Sequence, residues 1–479
     1  MNIFSKQAGV IFTLVLTILL SSCEKEENYN ILFIAVDDLN DWVGAYGGHA
    51  QAITPNIDKL AASGIQFENA YCPASLCNPS RVSLMTGLRP SSTGVYGNGG
   101  HFREIPEFAD VVTMPQWFAQ HGYYTAARGK IFHRVNGKLA DTISWENWQK
   151  TVGQSMNKHP LQSEDSTVSG MPIVEGGQKH FDWGAVNVDK KKTADYLNAL
   201  WAAEELNKEH DRPFFVACGI FRPHLPWFVP QEYFDMFPID DIVLPEINEN
   251  DLDDIPPMGV EMSNGLDPQS DYQRLKRYGL MKEAVQAYLA STTYADECVG
   301  VLLDALENSK YKDNTIVVLW GDHGWHLGEK LHYRKFVLWE ESCRVPLIVR
   351  VPKALSNGKK CNRVVNLIDL YPTLSELTGI PVNELNEGRS FAKLIKDPNA
   401  EWNYPTVTTM RYKNHGIVDE NWRYISYRNG DEELYYHPED PLEWTNLANN
   451  SKYDSVKNAL KAWIPEVNVE PAHNDEAEH

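Results

Sequence analysis

Ile-Leu-Phe-Ile-Ala-Val-Asp-Asp, residues 31–38, joins an unbroken apolar run to two consecutive carboxylates. A continuous apolar run of this length is typical of a strand that is buried on both faces of a parallel sheet. A second such run, residues 315–320, is followed closely by Asp322-His323. Ligands of open α/β sheets bind beyond the carboxyl ends of the strands, so we expect the carboxylates of both segments at one edge of the sheet.

Helical and strand-like patterns alternate around these two runs. Helices are predicted at residues 54–64, 80–86, 113–120, 193–208 and 283–306, and further strands at 65–67, 123–127 and 214–218. This alternation predicts an α/β fold, a large and mostly parallel sheet flanked by helices.

The C-terminal part of the chain has a different pattern from about residue 391 onwards. Strand-like alternation is found at residues 407–410, 422–427 and 433–436, with a hairpin turn at 428–431 and a last helix near 456–463. We therefore expect a smaller C-terminal α+β unit with an antiparallel sheet. Residues 231–273 are rich in Pro, Asp and Asn and have little periodicity, which predicts a long surface excursion bordering the functional site.

Composition limits the class of protein. The chain has 479 residues, 43% of them hydrophobic, so it can bury a large core. This length also suggests more than one structural unit, because single cores stop growing at about 250–300 residues. The formal net charge of −21 argues against nucleic acid as a partner, since phosphate binding requires a basic surface.

The N-terminus has the pattern of an export signal. Lys6 precedes an apolar stretch at residues 10–20, which is too short to span a bilayer. Leu20-Ser21-Ser22-Cys23 resembles a bacterial lipobox, which implies that residues 1–22 are removed and that Cys23 is lipidated. We expect a lipid anchor in the bacterial cell envelope, periplasmic or surface-exposed, with residues 23–29 as a tether. An ordinary secretory signal with an incidental Cys23 remains the alternative.

The run Cys-Asn-Pro-Ser-Arg-Val-Ser-Leu-Met-Thr-Gly, residues 77–87, indicates an anion site. Pro79 suits the first helical position and Gly87 the end of the helix, so a short helix is predicted over residues 80–86. Cys77 would then lie at a helix N-terminus, where free amides and the helix dipole favour an anion. Arg81, one turn further on, would point back toward the same end. A buried cysteine beside a turn is the alternative interpretation.

The carboxylates at the strand ends indicate a metal. Asp37, Asp38 and Asp322 would be costly to bring together without positive charge, so a divalent cation is the natural partner. Many carboxylate oxygens favour Ca²⁺ over Mg²⁺. For Asp37-Asp38 taken alone, a helix cap or loop carboxylate would be the simpler interpretation.

Residues 77–87 resemble the signature of type I sulfatases, C-x-P-S-R followed by x-x-x-[LM]-T-G. In that family a maturation enzyme oxidises the cysteine to formylglycine. Residues 321–335, 129–133 and 221–224 resemble the iduronate-2-sulfatase branch, and the similarity extends from about Asn30 to Leu447. The resemblance implies an alkaline-phosphatase-like sulfatase fold. We divide the chain into a catalytic domain, residues 30–385, and a C-terminal subdomain, residues 386–479.

The resemblance also implies a role for each matching residue. Cys77, as formylglycine, would be the nucleophile and a metal ligand, and Arg81 would hold its hydrate or a sulfate oxygen. The calcium ligands would be completed by Asp37, Asp38, Asp322 and His323. Lys130 and Lys335 would neutralise sulfate oxygens, and His133 would hydrogen-bond the hydrate or the sulfate. His224 would be the general acid, because a pKa near 6.5 lets histidine donate and recover a proton.

The implied function is hydrolysis of sulfate esters on a sulfated polysaccharide or its oligosaccharides, of the ulvan or glycosaminoglycan type. A phosphodiesterase or phosphonate monoester hydrolase of the same superfamily, and a non-catalytic glycan-binding lipoprotein, are the alternatives.

Four further histidines lie near the motif segments and are candidates for the substrate pocket: His49, His101, His326 and His332. The spacing of the remaining cysteines matches neither a zinc site nor a dense disulfide framework.

Overall fold

The computed structural model describes residues 29–163, 166–173 and 181–473. The predicted signal peptide and the lipidation site Cys23 lie outside the described residues. Within the described part of the chain, no helix is long and apolar enough to cross a membrane.

An eight-stranded sheet forms the centre of the molecule. The strands of the described residues, in this sheet and in three smaller ones, are β1 (Asn30–Val36), β2 (Ile65–Tyr71), β3 (Tyr124–Gly129), β4 (Asn147–Gln149), β5 (Trp183–Val186), β6 (Phe214–Ile220), β7 (Trp227–Pro230), β8 (Thr315–Gly321), β9 (His326–Leu327), β10 (Tyr333–Arg334), β11 (Leu347–Arg350), β12 (Lys360–Asn366), β13 (Thr406–Thr409), β14 (His415–Val418), β15 (Trp422–Ser426) and β16 (Glu432–Tyr436). The central sheet has the order β12-β2-β11-β8-β1-β6-β3-β4, and its neighbours run parallel except at β11, which is antiparallel to both β2 and β8.

Helices cover both faces of this sheet. They are α1 (Pro55–Ser63), α2 (Cys77–Thr86), α3 (Pro90–Thr93), α4 (Met114–Gln120), α5 (Ala194–Asn207), α6 (Gln231–Phe234), α7 (Pro257–Ser263), α8 (Asp271–Tyr278), α9 (Met281–Glu307), α10 (Glu340–Cys343), α11 (Leu370–Leu377), α12 (Ala392–Lys396) and α13 (Asp454–Lys461). Alternate residues of β1 belong to two hydrophobic cores: Leu32, Ile34 and Val36 pack with α5 and α9, whereas Ile31, Phe33 and Ala35 pack with α2, α4 and α11. This explains the unbroken apolar run, and it confirms the predicted fold class.

The C-terminal antiparallel sheet has the order β13-β14-β15-β16. Its small core includes Ile417, Tyr424, Leu434 and, from α13, Leu460. Arg423 on β15 is fully buried and pairs with Glu340 and Glu443, which ties this sheet to the segment that follows β10.

Two local expectations differ from the structure. The helix predicted over residues 80–86 begins at Cys77, and Pro79 occupies its third position; the capping residue Leu76 is already extended. Residues 231–273 contain α6, α7 and the start of α8 rather than only irregular chain, because apolar residues such as Tyr233, Phe234 and Met262 are buried there.

Candidate active site

Four parallel strands end at the edge of the sheet where the candidate site lies. Val36 of β1 is level with Ile220 of β6 and Gly321 of β8, so the residues that follow these three strands meet. Lys130 follows β3, the next strand along. The N-terminus of α2 lies against the same edge and contributes Cys77. The expected position beyond the carboxyl ends of the strands is therefore where these side chains are found.

Cys77 is 1% exposed, and polar side chains surround its sulfur. Sγ lies 3.2 Å from His323 Nε2, 3.3 Å from Lys335 Nζ, and 3.9 Å from both Lys130 Nζ and Asp38 Oδ1. Burial alone would raise the pKa of the thiol, but Lys130, Lys335 and His323 together hold that pKa well below its ordinary value. The surroundings of residue 77 therefore stabilise negative charge, the property that an oxygen nucleophile or a bound sulfate would also require.

The three carboxylates predicted at the strand ends converge. One oxygen from each of Asp37, Asp38 and Asp322 lies within 4.8 Å of the others, and all three side chains are buried. Asp38 has a left-handed backbone, with φ of 56°, and its amide donates to Asp322 Oδ1 at 3.0 Å. The turn after β1 thus bends back onto the turn after β8, which brings the acidic groups together.

Arg81 holds this acidic group in place. Nε donates to Asp322 Oδ2 at 2.8 Å, Nη2 donates to Asp37 Oδ1 at 2.9 Å, and Nη1 donates to the carbonyls of Lys130 and Ile131. Burial would raise the pKa of Asp322, but the guanidinium beside it holds that pKa well below the usual range. Arg81 therefore positions the two carboxylates, and its expected contact with the hydrate or a sulfate oxygen stays a prediction.

Arg81→Met should lower the free energy of unfolding by about 3–5 kcal/mol, because it leaves two buried carboxylates without their partner. Denaturation by urea measures the change. Arg277→Met is the matched control, since Arg277 is an exposed arginine on α8 whose Nη2 donates to the Pro268 carbonyl. Equal stability of the two variants would contradict the positioning role.

The residues fit a divalent cation. Asp38 Oδ2 is buried and accepts no hydrogen bond from the described residues, although a carboxylate oxygen at such depth normally has a partner. His323 Nδ1 lies 2.9 Å from the Gly324 carbonyl and so carries a hydrogen, which leaves Nε2 facing Asp38 Oδ1 at 3.3 Å. Burial lowers the pKa of His323, but Asp322 and Cys77 outweigh it and raise that pKa to about 9. Once deprotonated, Nε2 offers a lone pair beside three carboxylates, so these side chains can hold a divalent cation.

Two lysines supply further positive charge to the site. Lys335 Nζ donates to Asp38 Oδ1 at 2.7 Å, and Lys130 Nζ donates to Asp37 Oδ2. These side chains therefore neutralise part of the negative charge of the carboxylates, in addition to any bound cation. The position of Lys130 depends on two glycines: a Cβ at Gly129 would lie 2.0 Å from the Gly219 carbonyl oxygen, and one at Gly219 would lie 2.3 Å from the Lys130 backbone.

Two histidines complete the site near its entrance. His224 follows β6, its side chain is 21% exposed, and its Nε2 lies 3.9 Å from Asp38 Oδ2. Its Nδ1 lies 2.6 Å from the Leu225 carbonyl, so Nδ1 carries a hydrogen and Nε2 faces the site. His133 is buried, interacts with Cys77, and has no hydrogen-bond partner at Nδ1 among the described residues. Burial lowers the pKa of each histidine to about 4, so both are neutral in the unliganded protein.

Sequence reasoning missed two residues at the site. The Tyr288 hydroxyl on α9 donates to the Asp38 carbonyl at 2.8 Å, and Lys335 Nζ lies 5.1 Å from the ring centroid of Trp325. Trp325 lies in a segment that resembles the iduronate-2-sulfatase branch, whereas nothing local in the sequence of α9 marks Tyr288.

Of the four further histidines, His332 lines a cavity beside Lys335, and His49 bonds the Val243 carbonyl. His101 lies 3.4 Å from Asp141, and His326 bonds the Glu329 carbonyl.

The fold and the site together define a hydrolase with a strongly anion-stabilising nucleophile position. Residues 29–380 match the family model described as Sulfatase, and residues 321–470 match the model for the C-terminal part of N-sulphoglucosamine sulphohydrolase. The chain belongs to the sulfatase family and is an enzyme of that family, as the resemblance implied.

Proteins with similar sequences agree with this family assignment. A protein named sulfatase from Formosa agariphila is 37% identical, over 96% of this chain and 92% of the relative. Human iduronate 2-sulfatase is 27% identical, over 88% of this chain and 92% of its own. An ulvan-active sulfatase from Formosa agariphila is 27% identical, over 90% and 80%. The phosphonate monoester hydrolase of Agrobacterium radiobacter superposes with a TM-score of 0.72 at 19% identity, over 91% and 94%, which shows a shared fold alone.

Proposed function

We propose that this sulfatase uses formylglycine at position 77 and a calcium ion to release sulfate from a sulfated polysaccharide or its oligosaccharides, of the ulvan or glycosaminoglycan type. The observation that carries the proposal is the position of Cys77. Its side chain lies at the start of α2, 3.3 Å from Lys335 Nζ, beside three carboxylates and within the sequence of a formylglycine motif.

The proposed reaction begins with an attack on sulfur. The sulfur atom of Cys77 marks the position that an oxygen of the formylglycine hydrate would take. That oxygen, whose own proton has passed to solvent, bonds to the sulfate sulfur while the bond from sulfur to the sugar oxygen breaks, and His224 Nε2 gives a proton to the departing sugar oxygen. Lys130 and Lys335 stabilise the negative charge on the other sulfate oxygens.

The second step releases sulfate. The remaining hydroxyl on the formylglycine carbon gives its proton to His224 Nε2, the carbonyl re-forms, and the bond between that carbon and the sulfate oxygen breaks. Water then adds to the aldehyde to restore the hydrate, so one water is consumed for each ester. An unmodified cysteine has no second hydroxyl and cannot complete this step.

The calcium site would consist of Asp37, Asp38, Asp322, His323 and an oxygen of residue 77. A calcium ion bound there supplies positive charge that favours the ionised nucleophile and the sulfate oxygens. Arg81 holds Asp37 and Asp322 in the orientation this site needs, through hydrogen bonds of 2.9 and 2.8 Å.

The proposed substrate class rests on the relatives. Human iduronate 2-sulfatase and an ulvan-active sulfatase both resemble this chain over most of its length. The side chain of His224 is partly exposed, so the proposed acid lies where a large glycan could present its ester. We also propose export as a lipoprotein anchored through Cys23 in the cell envelope, and maturation by a formylglycine-generating enzyme.

Cys77 should be converted to formylglycine when the protein is produced together with a maturation enzyme. Trypsin yields the peptide of residues 60–81, which carries both Cys72 and Cys77. Conversion replaces CH₂–SH by an aldehyde, so mass spectrometry should show a lighter peptide that takes up one alkyl group instead of two. Cys72 is the internal control for alkylation. A peptide that takes up two alkyl groups in fully active enzyme would contradict the proposed nucleophile.

The same preparation tests whether the enzyme hydrolyses sulfate esters in preference to phosphorus esters. Matched aryl sulfate, aryl phosphonate and aryl phosphodiester substrates should be turned over with the sulfate strongly preferred. A preference for a phosphorus ester would favour the phosphonate hydrolase alternative, and no turnover of any ester by fully converted protein would favour a glycan-binding role.

A further inference from the structure

A second cavity lies beside the candidate active site. Its volume is about 280 Å³, and its lining comes from Thr167, Pro172, Ile173, Phe181, the region of α7 and α8, residues 331–334 and Phe336. This volume is near the lower end of the range of ~300–1,000 Å³ for small-molecule sites, which suits one sugar ring better than a longer oligosaccharide. None of the catalytic residues proposed above is part of its lining.

The cavity shares a wall with the sulfate site. Arg334 and Phe336 line the cavity and flank Lys335, whose Nζ lies 3.3 Å from Cys77 Sγ. The amide of Phe336 donates to the Ser75 carbonyl at 3.3 Å, two residues before the nucleophile. A group bound in the cavity would therefore lie next to a substrate whose sulfate is held by Lys335.

One residue of the cavity wall, Tyr333, has a buried hydroxyl without a partner among the described residues. Tyr333 lines the cavity and is 2% exposed, yet its hydroxyl makes no hydrogen bond among the described residues. A buried hydroxyl normally finds a partner, because leaving one unpaired costs about 1–3 kcal/mol. The unpaired hydroxyl points to a ligand that itself carries hydrogen-bonding groups.

The rest of the wall combines rings and fixed polar groups. The Arg334 guanidinium lies 5.0 Å from the Phe181 ring centroid and bonds Asp271, which also accepts from Arg274 Nη1 at 3.3 Å. Phe181, Phe336 and Tyr272 supply flat apolar surfaces. Apolar rings with a few oriented polar groups match a sugar ring, which has apolar C–H faces and a rim of hydroxyls.

The charges of the wall balance. Among the described lining residues, Arg274 and Arg334 are offset by Asp267 and Asp271, and burial lowers the pKa of His332, which leaves that ring neutral. Asp271 lies directly between the two guanidinium groups. The cavity therefore offers no surplus positive charge to a carboxylate or to a second sulfate.

We propose that this cavity binds an uncharged pyranose ring of the substrate, the neighbour of the ring that carries the scissile sulfate. The proposal rests on the proposed function, because it assumes a glycan sulfate ester at residue 77. Tyr333 and Arg334 would bind hydroxyls of this neighbouring ring, and a hexuronate in the same position would be disfavoured.

The test compares three substrates that share one sulfated monosaccharide: the monosaccharide itself, its disaccharide with glucose, and its disaccharide with glucuronate. Glucose and glucuronate differ only at C6, so they isolate the effect of charge. We expect the lowest KM for the glucose disaccharide. Tyr333→Phe should raise that KM by about 2- to 12-fold, the worth of one neutral hydrogen bond, with kcat little changed.

Two controls separate binding from structure. Tyr333→Phe removes a hydroxyl with no protein partner, so its Tm should not fall, whereas a structural hydroxyl would lower the Tm. Arg277→Ala changes an exposed arginine of α8 outside the cavity lining and should leave all three substrates unaffected. A KM for the glucose disaccharide that is no lower than for the monosaccharide, an unchanged KM in Tyr333→Phe, or a preference for glucuronate would each overturn the proposal. Failure of the wild type to release sulfate from any of the three would instead refute the proposed function.

Discussion

Asp322→Ala should abolish sulfate release from every substrate, a loss of at least about 10³-fold, at the upper end of the cost of removing one electrostatic stabiliser from an active site. Asp322 contacts Arg81 at 2.8 Å and the Asp38 amide at 3.0 Å, and it lies in the carboxylate group that we assign to calcium. Its removal takes away one proposed ligand and releases the turn that carries Asp38. Rates of sulfate release by equal amounts of formylglycine-containing protein measure the effect.

Chelation of the wild type gives the same test without a substitution. Exhaustive removal of divalent cations should abolish activity, and Ca²⁺ should restore it more fully than Mg²⁺, because a site of several carboxylates suits the larger ion. Asp322→Ala should not recover on adding either ion. Asp251→Asn is the matched control: Asp251 is a buried aspartate paired with Lys330 at 2.8 Å, so this variant loses stability but keeps its response to calcium. Full activity of chelated wild type, together with an active Asp322→Ala, would refute the metal site.

The sequence predicted the three carboxylates of the site because each directly follows a recognisable buried strand. The apolar run of β1 ends directly at Asp37-Asp38, and the run of β8 ends just before Asp322. Parallel pairing of these two strands is enough to bring the three carboxylates to one edge. No long-range information beyond the direction of the strands was needed.

The roles of Lys130, His133, His224 and Lys335 had a different origin. Each is one polar residue in a loop, and composition or periodicity does not distinguish it from a solvated side chain. The family resemblance singled these residues out, and the structure places them around Cys77. The geometry shows why the resemblance extends over separate segments: the loops after β3, β6 and β10 all face one helix end.

Other features depended on tertiary contacts that no segment encodes by itself. The guanidinium of Arg81 is directed at Asp37 and Asp322, which lie 44 and 241 residues away along the chain, so only the packed fold reveals these pairs. β11 lies between β2 and β8 and runs antiparallel to both, and nothing in its own sequence indicates that direction. Tyr288 reaches Asp38 across 250 residues of sequence, so only the packing of α9 on the sheet reveals it.

His224→Ala should cost roughly 10²–10⁴-fold in kcat on a natural glycan sulfate, the usual contribution of a general acid. The sugar alkoxide is a poor leaving group and needs a proton as the bond from sulfur to oxygen breaks. Nε2 of His224 faces the site, 3.9 Å from Asp38 Oδ2, while Nδ1 is held by the Leu225 carbonyl. Burial holds the pKa of His224 at about 4 in the free protein, and the negative charge of a bound sulfate ester would raise that pKa toward the range in which the ring carries the proton to be donated.

An aryl sulfate separates this role from a structural one. A phenolate leaves without protonation, so His224→Ala should lose much less activity on the aryl ester than on the glycan. Lys335→Ala is the contrast variant, because Lys335 contacts the nucleophile position and acts on the sulfate itself, so its removal should damage both substrates alike. Equal losses of His224→Ala on the two substrates would move His224 from proton donation to binding or structure. His133, whose Nδ1 is buried without a partner beside Cys77, would then be the next candidate for the acid.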